Sequence, residues 1–212
     1  MPSRAPWLPL VSNDASIRTV PLMGTLVTIQ VLGRRNNSDD ILHRVEAIQR
    51  AFSWFRRVEA CCTRFDPKSE VMQLCAHVGE PVPVSPILYE AVQFALAVAE
   101  ESGGAFDPTL GQTMEARGFN REYRTRQLVH TPVDPPADIS YRDIRLDRVD
   151  RTITFLRPLI LDLGAIAKGF AVDLAARELQ PFANFAINAG GDLYLGGHNA
   201  NDEPWSIGIR HP

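Results

Sequence analysis

Asp162 and Lys168 lie six positions apart in the stretch Leu161-Asp162-Leu163-Gly164-Ala165-Ile166-Ala167-Lys168-Gly169-Phe170. A β-rich apolar run leads in, two small residues follow, and an amphipathic helix pattern leads out. A helix start presents backbone N–H groups without intrahelical partners, which suits a bound phosphate. The lysine just inside the helix can add its ammonium, and the carboxylate before the turn can hold a metal. From these residues alone a plainer reading stands equally open: a surface lysine and a helix-capping aspartate. A Walker A loop is excluded, because no Gly-Lys-Ser/Thr order occurs. A dinucleotide fingerprint is excluded too, because Gly190-Gly191-Asp192 leads into a strand pattern.

Gly103-Gly104-Ala105-Phe106-Asp107-Pro108-Thr109 is the second candidate. Small residues let a ligand approach the backbone, Phe106 offers a flat face and Asp107 accepts hydrogen bonds. Taken alone, these residues read better as a helix stop followed by an Asp-Pro turn.

The elements that must position these residues follow from periodicity. Residues 17–33 alternate as a strand or hairpin broken at Met23-Gly24-Thr25. Ser38 can cap a long helix, with Asp39 and Asp40 favourable in its first turn. Ile41, Val45, Ile48, Phe52 and Phe55 recur at helical spacing, opposite His43, Arg44, Glu46 and Arg50 on a polar side. Residues from Ser69 predict a short helix. Ser85-Pro86 opens another, with Ile87, Ala91, Phe94, Ala95 and Val98 on one face and a stop at Gly103-Gly104. Residues 118–138 are polar and proline-bearing, a solvated excursion with a short strand near 127–130. Strands are expected at 144–146, 152–156 and 159–161, a helix at 165–179, two strands around Gly190-Gly191 and Gly196-Gly197, and a last strand at 205–210. Strands at both ends with helices between them predict an α+β fold with antiparallel sheets.

Composition narrows the function classes. The 212 residues are 45% hydrophobic and 22% charged, with a formal net charge of -3 and a pI near 6.0. That is ordinary globular composition and gives no electrostatic reason to expect nucleic acid. Three cysteines cannot form a complete set of internal disulfides. The adjacent Cys61 and Cys62 read as buried or half-buried free thiols, since no Cys/His spacing supports zinc. Residues 1–16 read as a disordered leader and residues 17–212 as one domain. The absence of a long apolar run predicts a cytoplasmic protein with no signal peptide and no transmembrane segment.

The residue order from Leu161 to Asp173 resembles the signature of the ApbE family, the FAD:protein FMN transferases, which reads D-L-G-G/A-I-A-K-G-Y/F-A-V-D. Further segments match in the family's order. Met23-Gly24-Thr25 resembles its M-G-T strand. Residues 64–70, Arg-Phe-Asp-Pro-Lys-Ser-Glu, resemble T-Y-R-P-D-S-E. Residues 103–109 resemble G-G-A-F-D-P-T. Residues 187–192 resemble V-N-L/A-G-G-D, and residues 204–210 resemble P-W-R-I-G-I-R. The resemblance implies an ApbE-like, T-fold-like arrangement of antiparallel sheets packed with helices. It implies transfer of FMN from FAD to a threonine or serine hydroxyl of a target flavoprotein, with release of AMP and dependence on Mg²⁺. It makes Met23, Phe65, Ala105, Phe106, Asp107, Asp162 and Lys168 the FAD-binding residues and gives Ala165 a carbonyl on the metal. Phe65 stands where the family has tyrosine, so stacking survives and the phenolic hydroxyl is lost.

The match also has a gap. The family continues past the P-W-x-I-G-I-R strand with an H-x-I-D-P segment, whose histidine helps activate the acceptor hydroxyl. A D-x-x-x-S/T segment with the remaining metal ligands follows. Neither is present before Pro212, and His43, His77, His130, His198 and His211 match no catalytic position, so the catalytic residues are left unassigned. The expectation is an FAD-binding half without its metal-binding half, in a shortened chain, a split protein with a complementing C-terminal chain, or a degenerate homologue. A non-catalytic FAD-binding or scaffold protein is the competing reading. An open edge at 205–210 would favour homo-oligomers.

Overall fold

The structure is a computed structural model that describes residues 10–11, 15–33, 38–131, 133–134, 136 and 138–208. Of the leader expected at 1–16, residues 1–9 and 12–14 lie outside the described residues. Leu10–Val11 forms a strand, and Ala15 and Ser16 open the next one. The chain divides into two compact units, residues 1–56 with 168–212 and residues 57–167.

The first unit is built on a five-stranded sheet. Its strands are β1 (Leu10–Val11), β2 (Ala15–Leu22), β3 (Thr25–Leu32), β7 (Phe185–Ala189) and β8 (Asp192–Gly196), paired in that order. Every neighbour is antiparallel. Val27, Ile29 and Val31 are fully buried on alternate positions of β3, the period of a sheet with one face in the core. Ile29 sits opposite Ile187, which is also fully buried. Between these strands in sequence come helix α1 (Ser38–Cys62) and, after the second unit, helix α5 (Gly164–Leu179). Each helix carries residues of both units. The side chains of Ser38 and Asp39 lie outside the described residues.

Helix α1 buries Ala47, Ile48, Ala51, Phe52, Phe55, Val58 and Cys62, spaced three and four apart as its sequence predicts. Arg44 departs from expectation. Placed on the polar side by periodicity, it is fully buried, with Nε 3.3 Å from the Asp40 carboxylate one turn earlier. Gly33 makes the room, since a Cβ there would overlap the guanidinium.

The second unit holds α2 (Glu70–Cys75), α3 (Pro86–Glu101), α4 (Gly111–Ala116) and a small antiparallel sheet. That sheet comprises β4 (Val82–Pro83), β6 (Thr152–Phe155) and β5 (Ile144–Asp147), in that order. Ser69 Oγ accepts the Met72 N–H and Ser85 Oγ accepts the Leu88 N–H, so both helix starts are capped by side chains the sequence supplies. Each such cap stabilises by about 1 kcal/mol. Glu70 ties the two starts together, accepting the Ser85 hydroxyl at 2.6 Å. Helix α3 ends as predicted. Gly103 and Gly104 have φ of +61° and +85°, and the Gly104 N–H reaches back to the Ala99 carbonyl at 2.8 Å.

Three expected strands are reduced. The apolar run 159–161 makes a single parallel bridge, Ile160 to Leu110, because its neighbours are packed on all sides instead of laddered. Residues 127–130 make one bridge, Leu128 to Arg121. Of 205–210, residues 205–208 have no ladder, while Pro204 bridges His198 and the Trp205 indole N–H donates to the Gly196 carbonyl. Ile209 and Arg210 lie outside the described residues. The excursion 118–138 is anchored more firmly than its polarity suggests: Glu59 holds Tyr123 and Arg124, and the buried Thr131 bonds Glu115. The α+β reading with antiparallel sheets holds. Among the described residues no helix is long and apolar enough to cross a membrane.

Candidate functional site

The residues singled out by sequence fall into two groups, one in each unit. In the first unit the sheet presents two tight hairpins. Met23-Gly24 joins β2 to β3 between the paired Leu22 and Thr25, and Gly190-Gly191 joins β7 to β8 between Ala189 and Asp192. All four loop residues have positive φ: +52° and +74° in one turn, +66° and +108° in the other. Two-residue hairpin loops need that handedness to match the strand twist. Glycine accepts it freely, whereas Met23 does so at a cost of about 1–2 kcal/mol. The two turns are neighbours, because a Cβ on Gly190 would overlap the Thr25 side chain. The Asn188 side chain accepts the Gly191 N–H at 3.1 Å and braces the second turn. Lys168 joins this group, its ammonium 3.7 Å from Asp192 and its side chain about one-third exposed. Three matched segments thus converge: M-G-T, N-A-G-G-D and the lysine of the helix motif.

In the second unit the strand-to-helix turn, residues 64–65 and residues 107–109 converge. Asp162 is held at three points. Its backbone N–H donates to the Pro108 carbonyl at 2.8 Å, Oδ1 accepts the Gly164 N–H at 2.8 Å, and Oδ2 accepts Arg64 Nε at 2.7 Å. Asp107 is similarly engaged, with Oδ1 accepting the Thr109 N–H and hydroxyl and Oδ2 accepting the Tyr141 N–H. Phe65 is half-buried, and the Arg64 guanidinium carbon lies 4.2 Å from its ring centroid. Phe106 is half-buried, and Ala105 and Ala165 are exposed.

The expectation of an open helix start is narrowed. The Gly164 N–H is taken by the Asp162 carboxylate, and the Ile166 and Ala167 N–H groups both donate to the Leu163 carbonyl. Asp162 therefore caps the first N–H of α5. Among the described residues no group of three or more His, Cys, Asp or Glu is placed to hold a metal ion. Ala165 can offer one carbonyl, but both nearby carboxylates already have partners. The residues described do not by themselves fit a magnesium ion.

Arg64 was not singled out from sequence, yet it is a buried charge of this unit, only 4% exposed. Its neighbour in the fold, Glu115, is also buried and accepts two bonds from Thr131. The only sequence signal was Arg64's place beside Phe65 in a matched segment. Cys61, Cys62 and Cys75 are free, as expected. Burial pushes their thiols up to about 11, about 12 and about 11 respectively.

The model of the ApbE family matches residues 23–212. The FAD:protein FMN transferase of Salmonella typhimurium is 26% identical, aligned over 98% of this chain and 60% of its own. That of Treponema pallidum is 28% identical over 90% of this chain and 56% of its own. Among solved structures, the ApbE protein of Thermotoga maritima has a TM-score of 0.75 at 26% identity, covering 93% of this chain and 64% of that one. Flavin transferase ApbE from Vibrio cholerae has a TM-score of 0.76 at 26% identity, covering 94% and 64%. The chain spans 56–60% of the length of these two curated relatives.

Proposed function

The chain belongs to the ApbE family, and from that premise we propose that it binds FAD and takes part in FMN transfer to a threonine or serine hydroxyl of a target flavoprotein. The observation that carries this reading is the convergence of Phe65, Asp107-Pro108 and Asp162 on one another in the second unit. These come from three separate matched segments.

In this reading Phe65 meets the flavin ring, while Met23 and Lys168 of the other unit carry over as FAD residues by the family resemblance alone, Lys168 as a point charge for phosphate. Ala105, Phe106 and Asp107 form the loop that approaches the cofactor. The acceptor oxygen bonds to the flavin-side phosphorus as the bridging P–O bond breaks, and AMP leaves with the electron pair. The hydroxyl proton is released to solvent as AMP departs. Magnesium belongs to the proposal through the family, where it would offset charge on the phosphoryl group. Because Ala165 offers only a carbonyl and Asp162 is already paired with Arg64, no step is routed through the ion. The cytoplasmic setting and the identity of the acceptor are likewise part of the proposal.

The engaged carboxylates favour a second reading, a protein that binds FAD without transferring FMN. Two measurements separate the readings. Titration with FAD, followed by flavin fluorescence, is expected to show saturable binding. A folded sample that binds nothing at high micromolar FAD overturns both. Incubation with an acceptor peptide, then mass spectrometry with and without Mg²⁺, detects the mass of covalent FMN if transfer occurs. FAD binding without labelling leaves the second reading standing.

A further inference from the structure

We propose that Arg64 is a positioning residue of the flavin site, fixing the Asp162 turn and the Phe65 ring as one unit. The proposal rests on the flavin reading above for its ligand, and on the geometry of the second unit for its mechanism.

A buried guanidinium is costly unless its donors are matched. Arg64 meets that requirement in part, through groups that each belong to a different segment. Nε donates to Asp162 Oδ2 at 2.7 Å, and Nη2 donates to the Phe119 carbonyl. Nη1 has no hydrogen bond, and it faces Glu115 Oε1 at 3.8 Å. The flat face of the same group lies over the Phe65 ring. One rigid plane therefore sets two things at once: where the carboxylate that caps α5 stands, and how the neighbouring aromatic ring is tilted. The coupling continues through Asp162, whose other oxygen holds the Gly164 N–H at the helix start. Lysine cannot reproduce this, because an ammonium has no plane to stack and no fork to bridge two acceptors. A purely structural ion pair would not need the ring contact, and an apolar replacement often serves a core equally well.

The test uses Arg64→Gln, Arg64→Met, Arg64→Lys, Phe65→Ala and the Arg64→Lys/Phe65→Ala double variant of the full chain. The first readout needs no ligand: amide hydrogen exchange of apo protein. In Arg64→Gln the Gly164 amide is expected to exchange about tenfold faster, as a charge-assisted anchor on its acceptor is lost. The Leu88 amide, capped by Ser85, should stay unchanged as an internal control. The second readout is FAD affinity. Arg64→Lys keeps a charge near Asp162 but loses the stacking, so FAD should weaken about two- to fivefold. The double variant should bind no more weakly than Phe65→Ala alone, because the two residues act through one ring. Unchanged Gly164 exchange in folded Arg64→Gln, or in Arg64→Met should the glutamine variant not fold, overturns the proposal. So does strict additivity of the two substitutions in FAD affinity. If the unaltered chain binds no FAD, the flavin reading fails on its own, and the exchange measurement still decides whether Arg64 positions the turn.

Discussion

Met23 holds a left-handed backbone at the tip of the β2–β3 hairpin, where Asn-Gly would be the relaxed choice. A strained residue in a matched ligand segment points to a role that outweighs the strain. Met23→Asn should therefore raise stability by about 0.5–1 kcal/mol and weaken FAD. Thermal melts and flavin titration check both halves, and a stabler variant with unaltered affinity would remove Met23 from the site. Lys168 makes a different prediction. Its ammonium acts on phosphate, so Lys168→Ala should weaken FAD more than riboflavin. Equal loss for both ligands would assign the lysine to the Asp192 contact alone. At this scale Phe65, Asp107 and Asp162 were legible in the sequence because each sits in a recognisable local pattern. Arg64 and Arg44 were not. An arginine reads as surface until its partner is known, and the partner of Arg64 is Asp162, 98 positions away.

Helices were the most legible elements, because their signals are local: Ser69, Ser85-Pro86 and Gly103-Gly104 each act within one turn. Strand pairing was not legible. The β3–β7 ladder joins residues more than 150 positions apart, and the run 159–161 has strand-like composition without a strand's partners. What binds α1 to α5 within the first unit is also non-local. Glu178 of α5 accepts the Trp54 indole N–H at 2.9 Å and Arg50 Nε at 3.0 Å, both from α1. The Trp54 bond, then Arg50, holds the Glu178 carboxyl below the usual carboxylate range. A depressed carboxylate pKa contributes stability that is present above the unfolded-state value near 4.3 and is lost as pH falls through the folded value. Glu178→Gln keeps an acceptor for Trp54 and removes the charge. Its stability should fall less steeply between about pH 5 and pH 3 than that of the unaltered chain. Denaturant melts across that range, read by tryptophan fluorescence, measure it, and identical acid limbs would show that Glu178 is not a linked group.

No composition shift marks the two compact units in the sequence, since both boundaries fall inside helices, at 56/57 in α1 and 167/168 in α5. The chain nevertheless carries a natural probe in each. In a Trp7→Phe background the remaining tryptophans, Trp54 and Trp205, belong to the first unit, and all three cysteines to the second. Tryptophan emission thus reports one unit and thiol accessibility the other. Burial shields the Cys62 and Cys75 thiols and holds them well above their ordinary pKa, so at neutral pH these two react with a disulfide reagent only after opening. Because α1 and α5 are each continuous across a boundary, losing one unit removes part of a helix from the other. The two probes should therefore give the same urea midpoint, the signature of a single cooperative transition. FAD extends the test. Of its expected binding residues, Phe65, Asp107 and Asp162 belong to the second unit. A ligand that binds only the folded chain stabilises it by about 2.7 kcal/mol at one hundred times its dissociation constant. Saturating FAD should move the thiol midpoint upward. An unmoved midpoint would remove Phe65, Asp107 and Asp162 from the list of binding residues.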